Sequence, residues 1–149
     1  MKELDPRLIQ KGMHLRNSSF FIDIAPEVLV EIARLGEDVF LQPGEVLFTE
    51  GDPADGLYFL MVGELDVLMG EKKVNTMHEG EVLGEIALLD SGLRSASIRA
   101  SGNVTLLRFS QELFDEVMEE YPQVAKQVLA TLVDRIRGLT SYISCKENL

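Results

Sequence analysis

The sequence predicts a mainly β fold of the α+β class, in which helices flank an antiparallel β-sandwich or jelly roll. Two observations lead to this prediction. Short β-rich runs alternate with glycine turns through the middle of the chain, and apolar residues recur with a helical period before and after them. The chain has 149 residues, which is enough for one domain that buries a core without metals or disulfides.

The first segment, about residues 1–37, is expected to be helical. Its apolar residues recur at spacings that fit one buried helix face. Pro26 is a good first residue for a helix, because the first turn leaves its backbone N–H groups unpaired in any case. The apolar residues of this face are Phe20, Phe21, Ile24, Leu29, Ile32 and Ala33.

The middle segment, about residues 38–109, is expected to hold the strands. Turn signals such as EGDPADG separate its β-rich runs, and alternation within one run places Leu65, Val67 and Met69 on the same face. Strands at this regular spacing are typical of a sandwich or jelly roll. The predicted strands are Asp38–Leu41, Val46–Phe48, Leu57–Val62, Glu64–Met69, Lys73–Met77, Ala96–Ala100 and Val104–Phe109.

Two helices are predicted over about residues 110–144. Ser110 is a good N-cap for the first, which should end near Glu120, and Pro122 is a good first residue for the second. The second helix carries a heptad-like seam that packs either on the chain's own strands or on a second subunit. In the latter case a second apolar line faces the strands. The seam is Ala125, Leu129, Leu132, Ile136, Leu139 and Ile143, and the second line is Val124, Val128 and Val133.

The formal net charge of −11 excludes several classes of partner. Such a charge repels nucleic acid and anionic membranes, so neither DNA nor a membrane is expected as a partner. No secretory leader is expected, because the first residues lack an apolar core, and the longest apolar run is far shorter than a membrane span. A single cysteine, Cys145, suits a reducing compartment. The expected location is therefore the cytoplasm.

The stretch GEIALLDSGLRSAS, residues 84–97, has the composition of an anion site. Backbone N–H groups in a tight turn point in one direction, and Gly84 allows an oxyanion to approach them closely. Arg94 supplies a cation that pairs with phosphate, and Ser95 adds a hydroxyl donor. Glu85 would repel phosphate, so its natural partner is a neutral donor such as a sugar hydroxyl. Together these residues indicate a sugar phosphate that carries a base.

This stretch also resembles the phosphate-binding cassette of cyclic nucleotide-binding domains. The matching residues are Gly84-Glu85-Ile86-Ala87-Leu88, then five others, then Arg94-Ser95-Ala96-Ser97. The family includes the catabolite activator protein, the regulatory subunits of cyclic-AMP-dependent kinase and cyclic-nucleotide-gated channels. The resemblance extends to LRNSSFFIDI and FLQPGEVLFTEGDPADGLYFLMVGELDVL and covers about residues 15–140. It implies an antiparallel β-roll, a jelly-roll-like double-stranded β-helix, within a single domain over residues 1–149.

The resemblance implies a role for each cassette residue. Glu85 would accept a hydrogen bond from the ribose 2′-hydroxyl, and Arg94 would pair with the cyclic phosphate. The phosphate cradle would be completed by the backbone N–H groups of Ile86 and Ala87 and by Ser95.

Other residues would surround the base. Leu83 and Ala96 would form apolar walls, and the last helix would close over the base. The candidates for the residue that caps the base are Leu132, Arg135, Ile136 and Leu139.

The resemblance also implies the ligand and the function. Cyclic AMP is the expected ligand and cyclic GMP is the alternative. A hydroxyl directly after the arginine, here that of Ser95, can bind the guanine amino group. A serine also stands at this position in the cyclic-AMP-binding catabolite activator protein, where it binds the phosphate. The expected function is that of a non-catalytic regulatory sensor. It would signal through movement of its C-terminal helix to an effector protein or a second subunit.

Two alternatives remain open at this point. One is a nucleotide-independent dimerisation or scaffold module with a vestigial pocket, in which a homodimer forms through Leu129, Leu132, Ile136 and Leu139. The other is a small jelly-roll metalloenzyme. A metal is not expected, because His14 and His78 are far apart in the sequence and do not form a cluster with other ligands.

Overall fold

The fold is described from a computed structural model that places residues 5–18, 21, 23–84 and 92–147, with side chains for all of these except 135, 136 and 139–147. Among these residues, two helices precede a pair of antiparallel sheets and two follow it. The helices are α1 (Pro6–Leu15), α2 (Pro26–Leu35), α3 (Gln111–Glu120) and α4 (Pro122–Glu147). The strands are β1 (Glu37–Leu41), β2 (Val46–Phe48), β3 (Leu57–Val62), β4 (Leu65–Met69), β5 (Lys72–Met77), β6 (Val82–Leu83), β7 (Ser97–Ala100) and β8 (Val104–Phe109).

The two sheets confirm the predicted fold class. One has the strand order β1-β8-β3-β6 and the other the order β2-β7-β4-β5, and every pairing is antiparallel. The predicted strands agree with the observed ones to within a residue at each end. The short strand β6 was not predicted, because two residues carry no alternation. It pairs with β3 through Tyr58 and Leu83.

Two apolar clusters form the core on opposite sides of the sheet that contains β3 and β8. In β8, Leu106 belongs to the cluster between the sheets, whereas Leu107 belongs to the cluster under the helices, and both are fully buried. In β3, Leu60 and Phe59 divide in the same way. A strand that is buried on both faces has no polar positions, which explains the continuous apolar run LYFLMV.

The N-terminal segment is less continuous than predicted. Asp5 caps α1 by accepting a hydrogen bond from the backbone N–H of Arg7, and α2 begins at Pro26 as predicted. Phe21 and Ile24 are buried, but they lie before α2, so the prediction of one helix face that includes them is wrong. Phe20 lies outside the described residues.

The C-terminal helices begin where the sequence predicts. The hydroxyl of Ser110 accepts a hydrogen bond from the backbone N–H of Leu113 at 3.2 Å and so caps α3. This helix ends at Glu120, and Pro122 is the first residue of α4.

The apolar residues of α4 divide differently from the prediction. Val124 and Val128 are buried in the cluster under the helices, and Leu132 packs against that cluster. Val133 was predicted to lie on the same line but is 43% exposed, because a residue nine positions after Val124 lies on the opposite side of the helix. Leu129, on the predicted seam, is 60% exposed. The side chains of Ile136, Leu139 and Ile143 lie outside the described residues.

Candidate ligand-binding site

A cleft of about 210 Å³ includes residues of both sheets and of the predicted cassette. The described part of its lining is mainly apolar and contains one charged side chain, that of Arg94. The lining residues are Phe48, Val67, Met77, Val82, Leu83, Gly84, Arg94, Ser95, Ala96 and Ile98.

The predicted site residues fall into two groups. Those that line the cleft are Leu83, Gly84, Arg94, Ser95 and Ala96. The other three, Glu85, Ile86 and Ala87, lie outside the described residues. The candidate caps Arg135, Ile136 and Leu139 also have no described side chains, and Leu132 contacts the cluster under the helices.

The backbone of Arg94 is held against the turn before β3. The Arg94 N–H donates to the carbonyl of Asp52 at 2.8 Å, and the Gly51 N–H donates to the carbonyl of Arg94 at 2.9 Å. Leu93 and Pro53 form an isolated antiparallel bridge beside these bonds. The EGDPADG turn therefore fixes the position from which the arginine side chain enters the protein.

The guanidinium of Arg94 is buried, and some of its hydrogen-bond donors have no partner among the described residues. The residue is only 3% exposed, and its Nη2 donates to Asp55 Oδ1 and to the carbonyl of Gly56, both at 2.8 Å. Among the described residues, neither Nε nor Nη1 has a hydrogen-bond partner. Buried polar groups are nearly always paired, and an unpaired one is costly. Two unpaired donors on a buried cation beside a cleft are the arrangement that an anionic ligand would complete.

Gly84 lies directly against this guanidinium. A Cβ atom at position 84 would lie 2.1 Å from Nη1 of Arg94, and the backbone φ of +83° also favours glycine. The glycine at the start of the cassette is therefore required both by its conformation and by its neighbour.

Asp55 links Arg94 to a wider polar network. The hydroxyl of Tyr58 donates to Asp55 Oδ2 at 3.1 Å, while Arg94 donates to the other carboxylate oxygen. Arg108 Nη2 donates to the backbone carbonyl of Asp55, and its Nη1 lies 3.2 Å from a carboxylate oxygen of Glu37. Nη2 of Arg94 is thus fixed by groups that belong to the protein.

The network also changes the pKa values of its members. Burial raises the pKa of Asp55, whereas the hydrogen bonds from Arg94 and Tyr58 lower it. The positive charge of Arg108 adds to the lowering, and the resulting pKa lies below the ordinary value of 3.8. Burial raises the pKa of Tyr58 above its ordinary value of 10.0, and the negative charge of Asp55 raises it further. At neutral pH the carboxylate therefore accepts and the phenol donates.

Asp55 should make the folded state sensitive to acid. Because its pKa in the folded protein lies below the unfolded value, its charged form contributes stability above the unfolded pKa of about 3.8, and this contribution is lost as the pH falls through the folded pKa. We expect Asp55→Asn to remove that part of the pH dependence. Urea unfolding of both proteins between pH 6 and pH 3 measures the difference, which should shrink as the pH falls. A difference that is constant with pH would contradict the assigned pairing.

The sequence did not indicate all of the residues around Arg94. In the sequence, Asp55 belongs to a turn signal, and Phe48 and Tyr58 belong to predicted strands. Their contacts with Arg94 arise from the pairing of β2 with β7 and from the approach of the 51–56 turn to Arg94. The one available signal was an acidic residue, Asp55, directly before a strand that is otherwise apolar.

Comparisons with known proteins identify the family of this chain. The sequence profile of the family described as Cyclic nucleotide-binding domain matches residues 38–121. The chain therefore belongs to the cyclic nucleotide-binding domain family, as the resemblance of its cassette implied. This family occurs in regulatory proteins, among them ion channels named for cyclic-nucleotide gating and catabolite activator proteins.

The chain is similar both to a cyclic nucleotide-gated channel in sequence and to solved structures of bacterial regulators. Potassium/sodium hyperpolarization-activated cyclic nucleotide-gated channel 2 from Mus musculus is 35% identical over 109 residues, which are 73% of this chain but only 12% of the channel. The N-terminal domain of a transcriptional regulator from Streptomyces coelicolor A3(2) is 27% identical with a TM-score of 0.76, over 87% of this chain and 94% of that one. The Thermus thermophilus Catabolite Activator Protein is 26% identical with a TM-score of 0.78, over 85% and 62%.

No helix in the described part of the chain is long and apolar enough to cross a membrane.

Proposed function

We propose that this chain is a non-catalytic sensor that binds a cyclic nucleotide, preferably cyclic AMP, in the cleft beside Arg94. The observation that carries the proposal is the guanidinium of Arg94, which is buried yet keeps Nε and Nη1 unpaired among the described residues. Although the chain has a net charge of −11, this buried cation has too few hydrogen-bond acceptors around it, so it is suited to bind an anion at this one place. The single negative charge of a cyclic phosphate would complete it.

The cassette residues take the roles that the family resemblance implies. The phosphate oxygens accept from Arg94, and the absence of a Cβ at Gly84 leaves room for both the guanidinium and the ligand. Ser95 adds a hydroxyl donor, and the backbone N–H groups of Ile86 and Ala87 complete the cradle. Glu85 accepts from the ribose 2′-hydroxyl.

The lining of the cleft favours adenine over guanine. Apart from Arg94 and Ser95, the described lining residues have no polar side-chain group, and Leu83 and Ala96 form part of the apolar wall. Adenine carries one exocyclic polar group, its amino group, whereas guanine carries a carbonyl and an amino group. Guanine would therefore lose more water without gaining a partner against such walls. Ser95 is exposed and meets the guanine amino group only if it leaves the phosphate.

The signal is proposed to leave through α4. Val124, Val128 and Leu132 of this helix pack on the cluster that also contains Phe59 of β3. A ligand in the cleft that favours one position of α4 over another shifts the population between them. The receiver is an effector protein or a second subunit, and the expected setting is the cytoplasm. We propose that the sensor is a single domain over residues 1–149.

Calorimetry tests the proposal directly. The protein is refolded from denaturant to remove any bound ligand and is then titrated with cyclic AMP, cyclic GMP and 5′-AMP. We expect a roughly micromolar or tighter dissociation constant for cyclic AMP, weaker binding of cyclic GMP and no binding of 5′-AMP, whose extra charge and open phosphate do not fit one cation. No heat and no thermal stabilisation with either cyclic nucleotide would mean that the pocket is vestigial.

A dimerisation module is the second candidate, and the exposure of Leu129 favours it. Leu129 is 60% exposed on the predicted seam of α4. If this seam joins two subunits, Leu129→Glu should convert a dimer into a monomer in sedimentation velocity, because a charge would be buried in the contact. Val74→Glu, at an exposed valine of β5, is the matched control and should leave the dimer intact. A monomeric unaltered protein at all concentrations would exclude this candidate.

A further inference from the structure

Two aromatic rings bound the guanidinium of Arg94. Its Cζ atom lies 4.2 Å from the ring centre of Phe48 and 5.8 Å from that of Tyr58. The two ring centres are 6.1 Å apart, and the ring planes differ by 46°. Because the rings are this close to each other, the guanidinium lies in the corner between them and is not sandwiched. Both distances are within the range of a cation–π interaction, and Phe48 makes the closer one.

We infer that Phe48 is a positioning residue, which holds the Arg94 guanidinium in the orientation that receives the ligand's phosphate. This inference rests on the proposed function and adds to it a residue outside the cassette. The hydrogen bonds to Asp55 and Gly56 fix only Nη2. Contact with the ring of Phe48 restricts rotation of the guanidinium about Nη2 and thereby the directions of Nε and Nη1.

The backbone keeps Phe48 in this place. β2 pairs with β7, and Phe48 lies opposite Ile98, only a few residues after Arg94 in the chain. The N–H of Glu50 donates to the hydroxyl of Ser97 at 2.9 Å, which ties the chain just after β2 to the start of β7. Phe48 thus lies on β2, and Arg94 lies in the segment just before β7, the strand that pairs with β2.

At position 48, an aromatic side chain can stabilise the Arg94 cation electrostatically, whereas an aliphatic side chain cannot. The negative face of the ring stabilises a cation that burial has separated from water, whereas leucine offers only contact area. Without the ring, the arginine side chain would sample other orientations and would have to be ordered when the ligand binds. The cost of ordering one such side chain corresponds to a loss of about tenfold in affinity.

The first test compares dissociation constants for cyclic AMP. We expect Phe48→Leu to weaken binding about tenfold and Phe48→Tyr, which keeps the ring, to restore it to within about threefold of the unaltered protein. In an Arg94→Lys background, Phe48→Leu should change the affinity less than twofold, because the guanidinium that it orients is gone. Equal effects in both backgrounds would show that Phe48 acts on the fold and not on Arg94.

The second test keeps the shape of the side chain. Phenylalanine at position 48 is replaced by its 3,5-difluoro and 3,4,5-trifluoro analogues, which weaken the negative face of the ring while they keep its apolar contacts. We expect the dissociation constant to rise stepwise with fluorine number, in ligand-free proteins that all remain folded at the temperature of the assay. Constant affinity across the series would overturn the positioning role alone. No binding by the unaltered protein would overturn the proposed function, and the role of Phe48 with it.

Discussion

Replacement of Arg94 by alanine should weaken the binding of cyclic AMP about a hundredfold or more. Among the described residues, Arg94 is the only charged side chain that lines the cleft, and it is 3% exposed, so the phosphate would be buried there without its positive partner. Removing one partner of a buried charge pair typically costs about 2–5 kcal/mol, because the other charge stays buried and unpaired. Isothermal titration of the variant with cyclic AMP measures the loss.

Two further variants make this result interpretable. Arg99→Ala removes another arginine from the same strand region, but the Arg99 side chain is 44% exposed and does not line the cleft, so the affinity should not change. Arg94→Lys keeps a positive charge but not the guanidinium geometry and should show an intermediate affinity. Unchanged affinity in Arg94→Ala, with the protein still folded, would remove Arg94 from the site.

Replacement of Gly84 by alanine should damage both the fold and the binding of cyclic AMP. The new Cβ would lie 2.1 Å from Nη1 of Arg94, so the guanidinium would have to leave its position. The positive φ adds a strain of about 1–2 kcal/mol for a residue with a Cβ. We expect a lower free energy of unfolding in urea and a loss of affinity of more than about tenfold.

Gly44 is a close control for this variant. Its φ is also +83°, but nothing lies within 4 Å of the position that a Cβ would occupy. Gly44→Ala therefore carries the same backbone strain without the collision. It should lower the free energy of unfolding and leave the affinity for cyclic AMP unchanged. Equal affinities of the two alanine variants would show that contact with Arg94 does not matter for the ligand.

Most of the fold was predictable because it depends on local signals. Alternation and turn glycines mark β4 and its neighbours, and the capping residue Ser110 and the proline Pro122 mark the last two helices. The errors have equally local causes. Strand β6 has only two residues, which is too few to show alternation. Val133 follows Val124 by nine residues, or two and a half helical turns, so it lies on the side of α4 opposite to the one predicted.

The sequence predicted only those site residues that lie close together in one continuous stretch of the chain. Gly84 and Arg94 belong to one stretch of the chain, so the cassette could be read directly. Phe48 and Tyr58 reach the same guanidinium from β2 and β3, Asp55 reaches it from the turn before β3, and only tertiary contacts bring them there. The sequence therefore indicated which residues meet the ligand, but not which residues hold Arg94 in place.

In the proposed site, the two nitrogens of Arg94 that are unpaired among the described residues bind the cyclic phosphate. A ¹H–¹⁵N NMR titration with cyclic AMP observes the Arg94 Nε–H directly, with the signal assigned by its absence from the Arg94→Lys spectrum. We predict a large downfield proton shift and protection from solvent exchange that saturate together with the calorimetric binding curve. Cyclic AMP binding that leaves this signal unmoved, or no binding at all, would contradict the account.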